Sequence, residues 1–172
     1  RCLTKYGRQD LAYKLATQET YPSWGYMAKR GATTIWELWN GDTAAPDMNS
    51  ANHVMLLGDL VIWYYENLAG IKNAEGSTGF RHIEMKPCFP DGLGRVSATY
   101  RSVSGTIGSR WERDGDSLSW TVTIPANCSA TLYLPVALHP DEPVQAEGIR
   151  GITSQEAYWQ VELSSGTYHF GK

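Results

Sequence analysis

The side chain best suited to chemistry is a carboxylate, Glu37, in a run of apolar and aromatic residues. Trp36 and Leu38 flank it, Trp39 follows, and no Lys or Arg lies within six positions on either side. Burial among such neighbours would disfavour the ionised carboxylate, which is how proteins adjust a general base to work near neutral pH. The pattern therefore predicts a general base at Glu37. One alternative is an exposed glutamate at a helix end, which the bulky neighbours argue against. The stronger alternative is a buried ion pair with Arg30 or with an arginine outside this sequence.

Large aromatic side chains cluster around this carboxylate, at Tyr21, Trp24, Tyr26, Trp36 and Trp39. Glycines interrupt the cluster, which puts flat ring surfaces on turns beside short polar residues. Aromatic faces next to hydrogen-bonding groups suit sugar rings, whose C–H patches stack while their hydroxyls find polar partners. A sugar site is one interpretation, and the other is that these rings close one end of a helical core.

The residues around Glu37 belong to a part of the chain, residues 1–69, with helical patterning. Asn49 to Asn52 offer capping oxygens, and His53 follows them at the expected start of a long helix. A histidine there either makes a local hydrogen bond or binds a ligand. Ala69-Gly70 supplies a C-terminal stop. The apolar residues that recur with helical spacing are Val54, Leu57, Val61, Tyr65 and Leu68.

From residue 79 onward apolar residues alternate with polar ones, which is typical of half-buried β-strands. Turn residues recur about every 8–12 residues, which predicts an antiparallel β-sandwich. The connector 71–79 is predicted to be a linker loop. Carboxylates of the sandwich half fall at turns, where solvated charge is the ordinary interpretation. The alternating runs are 95–101, 107–111, 118–124, 130–134, 158–163 and 167–170.

The composition limits both fold and function. The chain has 172 residues, of which 42% are hydrophobic and 19% charged, so it can build a core and is not disordered. Its net charge of -3 argues against nucleic-acid binding, which needs clustered Lys and Arg. No apolar run approaches the length of a membrane span. Cys2, Cys88 and Cys128 are too scattered for a disulfide framework or a zinc site, which favours free thiols and leaves the redox compartment open.

Several long motifs resemble the C-terminal portion of bacterial α-L-rhamnosidases of glycoside hydrolase family 78. The resemblance covers essentially the whole chain, and its first two motifs are specific because they are long and rich in Trp and Gly. The motifs are Tyr21-Pro22-Ser23-Trp24-Gly25-Tyr26-Met27, Gly31-Ala32-Thr33-Thr34-Ile35-Trp36-Glu37-Leu38-Trp39, Ser50 to His53, Leu68-Ala69-Gly70-Ile71, Gly79-Phe80, Lys86-Pro87, Ser104-Gly105, Ile107 and Ile124-Pro125-Ala126-Asn127.

The resemblance implies a fold and a site. Residues 1–70 would be the last helices of an (α/α)6-barrel catalytic domain, 71–79 a linker, and 80–172 a C-terminal antiparallel β-sandwich. Glu37 matches the family's general base, and His53 matches a residue that binds rhamnose hydroxyls. Trp36, Trp39 and Trp24 would line or buttress the sugar pocket.

The resemblance also implies hydrolysis of terminal α-L-rhamnosides with inversion, in which an acid protonates the leaving oxygen while a base activates water. The family's acid belongs to an acidic and Arg-rich motif upstream of this sequence, so we expect the 172 residues alone to be inactive. The expected partners are a rhamnose-containing glycoside and the remainder of the barrel, without nucleic acid, membrane, cofactor or metal. The sequence does not decide between the bacterial cytoplasm and the periplasm as the compartment of the protein.

Two other functions fit the same residues. In one, the chain is a non-catalytic carbohydrate-binding or structural sandwich module, and its aromatic helices dock it onto a larger protein. In the other, the barrel belongs to a related inverting hydrolase that acts on a different deoxy or uronic sugar.

Overall fold

The computed structural model describes residues 1–47, 49–143 and 145–171. The chain forms two compact units, Arg1–Tyr64 and Tyr65–Lys172. None of the helices in the described ranges is both long enough and apolar enough to span a membrane.

The first unit consists of short helices joined by irregular segments. Ser23 begins the third of them, because its side-chain oxygen accepts a hydrogen bond of 2.9 Å from the amide of Tyr26. Trp63 ties the last helix to the first through a 2.8 Å bond from its indole N–H to the Thr4 hydroxyl. The helices are α1 (Cys2–Lys5), α2 (Gln9–Thr17), α3 (Trp24–Lys29), a 3-10 helix (Val54–Leu57) and α4 (Gly58–Trp63).

The predicted helix over residues 54–68 is not one regular helix. It begins as the 3-10 helix, continues as α4 and ends as a π-helical turn over Tyr64–Leu68. Because the number of residues per turn changes along it, positions chosen for a constant helical period do not share one face. Leu68 is buried, whereas Val54 and Val61 are exposed. Leu60 and Trp63 supply the buried contacts of α4 instead.

The second unit is a β-sandwich of two sheets, which confirms the predicted fold class. Its strands are β1 (Ile71–Asn73), β2 (His82–Met85), β3 (Arg95–Ser102), β4 (Gly105–Asp114), β5 (Ser117–Ile124), β6 (Ser129–Pro135), β7 (Ile149–Ser154), β8 (Tyr158–Leu163) and β9 (Gly166–Phe170). One sheet has the strand order β1-β2-β6-β8-β7 and the other β3-β4-β5-β9. All pairs are antiparallel except β2 with β6, whose long connection passes through the other sheet.

Alternating apolar residues of both sheets meet in one core, as the sequence pattern predicts. Trp111 and Trp120 are completely enclosed there, whereas Trp159 is half-buried. The main contributors are Ile83, Met85, Ile107, Trp111, Leu118, Trp120, Val122, Ala130, Leu132, Leu134, Val161, Leu163, Tyr168 and Phe170.

The predicted linker over 71–79 is wrong for its first three residues. Residues 71–73 form the edge strand β1, in which Ile71 pairs with Met85 of β2. Ile71 is 3% exposed, so its burial in the sandwich core explains why this short segment is a strand. The sandwich therefore starts directly after Gly70.

The last helical carbonyls of the second unit are bound by side chains from the sandwich core. The indole N–H of Trp111 donates to the carbonyl of Leu68 at 2.8 Å, and the hydroxyl of Ser109 donates to that of Ala69 at 2.7 Å. Ser109 also accepts the indole N–H of Trp120 at 3.0 Å. These bonds satisfy carbonyls that the end of a helix leaves without partners.

We expect Ser109→Ala to lower the free energy of unfolding by about 2–4 kcal/mol, because two buried polar groups lose their partner. Denaturant unfolding monitored by Trp fluorescence measures this change. Ser119→Ala on the same sheet is the matched control, since Ser119 is exposed and its loss should cost less than about 0.5 kcal/mol. Equal unfolding midpoints for the two variants would contradict the importance of the Ser109 bonds.

Candidate active site

Two irregular segments, residues 34–38 and 49–53, lie side by side in the first unit and hold Glu37. The amide of Glu37 donates to the carbonyl of Ser50 at 2.9 Å, and the amide of His53 donates to that of Ile35 at 2.8 Å. These two bonds pair the segments in opposite directions. The backbone on both sides of the predicted base is therefore fixed by contacts that are distant in sequence.

Only one of the two oxygens of the Glu37 carboxylate accepts a hydrogen bond from the described residues. Its Oε2 accepts the Ser50 amide at 3.1 Å, and the Nδ1 of His53 lies 3.8 Å from the same Oε2. Among the described residues, Oε1 has no hydrogen-bond partner. A carboxylate held in this way can be oriented by one oxygen while the other accepts a proton.

The expected burial of this carboxylate is not found. The side chain of Glu37 is 44% exposed, whereas its neighbour Trp36 is buried. Residues 35–38 form no regular helix or strand, and apolar neighbours in sequence do not bury a side chain that points away from them. His53, by contrast, is only 26% exposed beside the carboxylate.

Arg30 does not provide the buried partner considered above. Its Nε lies 3.4 Å from Oδ2 of Asp42, and its guanidinium lies 5.3 Å from the ring centroid of Tyr26. Tyr26 also donates a long hydrogen bond of 3.5 Å to Asp42. Arg30 therefore forms its ion pair with Asp42 and not with Glu37.

Trp36 supports the Glu37 segment from inside the first unit. It is 8% exposed and packs with Met27 and Ile35. Gly41 lies directly against its ring, where an added Cβ would come within 2.7 Å of the indole. Of the two functions the sequence allows for Trp36, lining the pocket or buttressing it, this burial fits buttressing.

Trp24 and Trp39 provide the accessible aromatic surface. Their rings meet edge to face with centroids 6.0 Å apart. Trp39 is 41% exposed and Trp24 is half-buried. A tilted pair of this kind offers a ring face and a ring edge to an apolar patch of a ligand.

The residues 49–52, predicted to cap a helix, have a different function. The 3-10 helix that follows has His53 as its N-cap and no side-chain cap bond. Asn49 and Ser50 bind the Glu37 segment instead, and the side chain of Asn52 accepts a 3.2 Å bond from the Thr34 hydroxyl. The Asn- and Ser-rich composition marked these residues as hydrogen-bonding, but sequence alone did not identify their partners.

Nothing in the described ranges resembles a metal centre or an activated thiol. Among residues 1–47, 49–143 and 145–171, no three His, Cys, Asp or Glu side chains gather closely enough to hold a metal ion. The three cysteines are free thiols. Burial raises the pKa of Cys88 to about 11, so that thiol is protonated at neutral pH and a poor nucleophile.

Two protein-family models match successive parts of the chain. Residues 1–68 match the bacterial α-L-rhamnosidase six-hairpin glycosidase domain. Residues 70–148 match the bacterial α-L-rhamnosidase C-terminal domain. The chain belongs to the bacterial α-L-rhamnosidase family and corresponds to its C-terminal portion.

Individual relatives agree with this assignment. An α-L-rhamnosidase from Streptomyces avermitilis is 34% identical over 98% of the chain, and one from Formosa agariphila is also 34% identical over 98%. A crystal structure of the S. avermitilis enzyme complexed with L-rhamnose matches with a TM-score of 0.86 and 33% identity over 99% of the chain. The chain spans 16% of the S. avermitilis relative and 19% of the F. agariphila relative.

Proposed function

We propose that this chain supplies the general base of an α-L-rhamnosidase that hydrolyses terminal α-L-rhamnosides with inversion. The observation that supports this function best is the Glu37 carboxylate, whose side chain is 44% exposed, with Oε2 held by the Ser50 amide and Oε1 without a hydrogen-bond partner among the described residues. The choice of rhamnose as the sugar rests on the family assignment, since the named relatives are α-L-rhamnosidases.

In this mechanism a water molecule lies between Oε1 of Glu37 and the anomeric carbon of the rhamnose. As the water oxygen bonds to that carbon, Glu37 takes a water proton and the bond to the leaving oxygen breaks. A second carboxyl group, about 6.5–9.5 Å from the base, protonates the leaving oxygen from the opposite face. We propose that this acid comes from the part of the enzyme that the relatives have in addition to this chain.

Substrate contacts are proposed for His53, Trp24 and Trp39. The Nδ1 of His53 faces Glu37, and its Nε2 has no hydrogen-bond partner within the described residues, so it can bind a rhamnose hydroxyl. The accessible rings of Trp24 and Trp39 suit the apolar face and methyl group of a deoxy sugar.

The exposed apolar residues before and within α4 support a larger catalytic domain. Val54, Met55, Leu56, Val61 and Ile62 are between 38% and 74% exposed. Large apolar side chains that are exposed so near to one another in the sequence are typical of an interface. We propose that the remainder of the barrel covers it.

The stereochemistry of the first product tests the proposed reaction. The complete polypeptide that carries this chain is incubated with an aryl α-L-rhamnoside, and the released sugar is followed by NMR before its anomers equilibrate. We expect β-L-rhamnose to form first. Initial α-L-rhamnose would overturn inversion, and turnover only of an α-L-fucoside or a uronide would overturn the choice of sugar.

The 172 residues by themselves are expected to release no measurable rhamnose from the same substrate. Loss of one partner of an acid–base pair removes a factor of about 10²–10⁴. Circular dichroism must establish that the isolated chain is folded, and the complete polypeptide is the positive control. Clear turnover by the folded chain alone would contradict this expectation.

A further inference from the structure

The side chain of Asn49 binds the backbone on the C-terminal side of Glu37 at two points. Its Oδ1 accepts the amide of Leu38, the residue after Glu37, at 3.2 Å. Its Nδ2 donates to the carbonyl of Gly41 at 3.4 Å. Asn49 is half-buried, so these bonds are partly shielded from competing water.

The two bonds enclose a tight turn. The amide of Gly41 donates to the carbonyl of Leu38 at 3.1 Å, so residues 38–41 fold back on themselves. The Trp36 ring lies against Gly41. The turn is therefore held both by the hydrogen bonds of Asn49 and by packing on the Trp36 ring.

Asn49 also precedes the residue that orients the carboxylate. The Ser50 amide binds Oε2 of Glu37 at 3.1 Å, and the Ser50 carbonyl accepts the Glu37 amide at 2.9 Å. One side chain therefore fixes the distance between the segment that carries the carboxylate and the amide that orients it. A shift of either segment would move Oε1.

We propose that Asn49 is a positioning residue for Glu37, an inference that rests on the proposed function of Glu37 as the general base. Asn49 has no contact with the carboxylate itself and acts through the backbone of residues 38–41 and through Ser50. Catalysis by a general base depends on distance and angle, and a displacement of about 1 Å can cost about 100-fold in rate.

Asn49→Ala is expected to lower kcat about 10- to 100-fold with KM changed less than about threefold. The variant is made in the complete polypeptide and assayed with an aryl α-L-rhamnoside. The shape of the pH–rate profile persists, because the general base is still Glu37 in this variant. In Asn49→Asp the acceptor for the Leu38 amide is retained but the donor to the Gly41 carbonyl is lost, so kcat is expected to lie between that of Asn49→Ala and that of the parent enzyme.

Azide separates positioning from a general loss of structure. Azide attacks the anomeric carbon without losing a proton, so a C–N bond forms and the bond to the aryl oxide breaks with no base required. If Asn49→Ala only displaces the base, azide raises its rate of aryl release, as it does for Glu37→Gln. A variant with a damaged pocket gains nothing from azide.

Thr17→Ala is the control, because the exposed Thr17 hydroxyl donates to the Tyr13 carbonyl of the same helix at 2.8 Å and Thr17 lies outside residues 34–41 and 49–53. Its kcat is expected to equal that of the parent. An unchanged kcat in Asn49→Ala, or a lowered kcat without azide rescue, overturns the inference while Glu37→Gln remains inactive. Full activity of Glu37→Gln overturns the proposed function itself, so the two failures are distinguishable.

Discussion

Glu37→Gln is expected to lower kcat for hydrolysis of an aryl α-L-rhamnoside by about 10²–10⁴-fold or more, while the protein stays folded. The amide keeps an oxygen that can accept the Ser50 amide, so the pairing of segments 34–38 and 49–53 is preserved. What the variant loses is the group that takes the water proton. Because the side chain is 44% exposed, the substitution creates no buried unpaired group.

The measurement is kcat and KM of the complete polypeptide across the pH range, together with its melting temperature. Loss of the base removes the acid limb of the profile, because that limb reports protonation of the base. Glu19→Gln is the matched control, since Glu19 is an exposed carboxylate that pairs with Lys29 in the same unit. That variant should keep the parent kcat.

The Glu37→Gln variant also tests whether the chain contributes to catalysis or is a non-catalytic binding module. If the chain serves only to bind carbohydrate or to dock a sandwich domain, Glu37→Gln leaves both turnover and sugar affinity unchanged. Retention of most of the activity by a folded Glu37→Gln protein would therefore remove Glu37 from the mechanism.

The sandwich was predictable because its physical signal is local. Alternation of apolar and polar residues reports which face of a strand is buried, and the runs around Trp111, Leu118 and Leu132 became strands β4, β5 and β6. Strand β7 was missed since a register shift between Ile149 and Gly151 breaks its alternation. Strands β1 and β2 were missed because three and four residues are too short to show a period.

The site was only partly predictable because its geometry depends on pairing at a distance. Sequence identified Glu37, His53 and the tryptophans by residue type and by family resemblance. It could not show that Asn49 and Ser50 bind the Glu37 segment, since a polar residue before a helix is usually a cap. Nor could it predict an exposed carboxylate beside a buried Trp36, which follows from the backbone conformation of that segment.

Gly70 has one feature that the sequence predicts and one that it does not. A helix-ending glycine was expected there, and Gly70 has a φ of +73°, in the left-handed region that favours glycine. The close approach of another segment was not expected. An added Cβ would collide with the nitrogen of Pro87 and lie 2.7 Å from the carbonyl carbon of Lys86. The Lys86 amide also donates to the Gly70 carbonyl at 3.0 Å, so the two backbones cannot separate without losing this bond.

Gly70→Ala is accordingly expected to lower the free energy of unfolding of the sandwich by about 2–5 kcal/mol, of which about 1–2 kcal/mol comes from the left-handed conformation and the rest from the collision. Gly76→Ala isolates the first contribution, because Gly76 has a φ of +75° but no atom within 4 Å of an added Cβ. Hydrogen exchange of the β1 and β2 amides in the complete polypeptide measures how much each variant destabilises the sandwich. If Gly70→Ala destabilises these strands no more than Gly76→Ala does, the approach of Pro87 is not the constraint, and Gly70 is needed only for its backbone conformation.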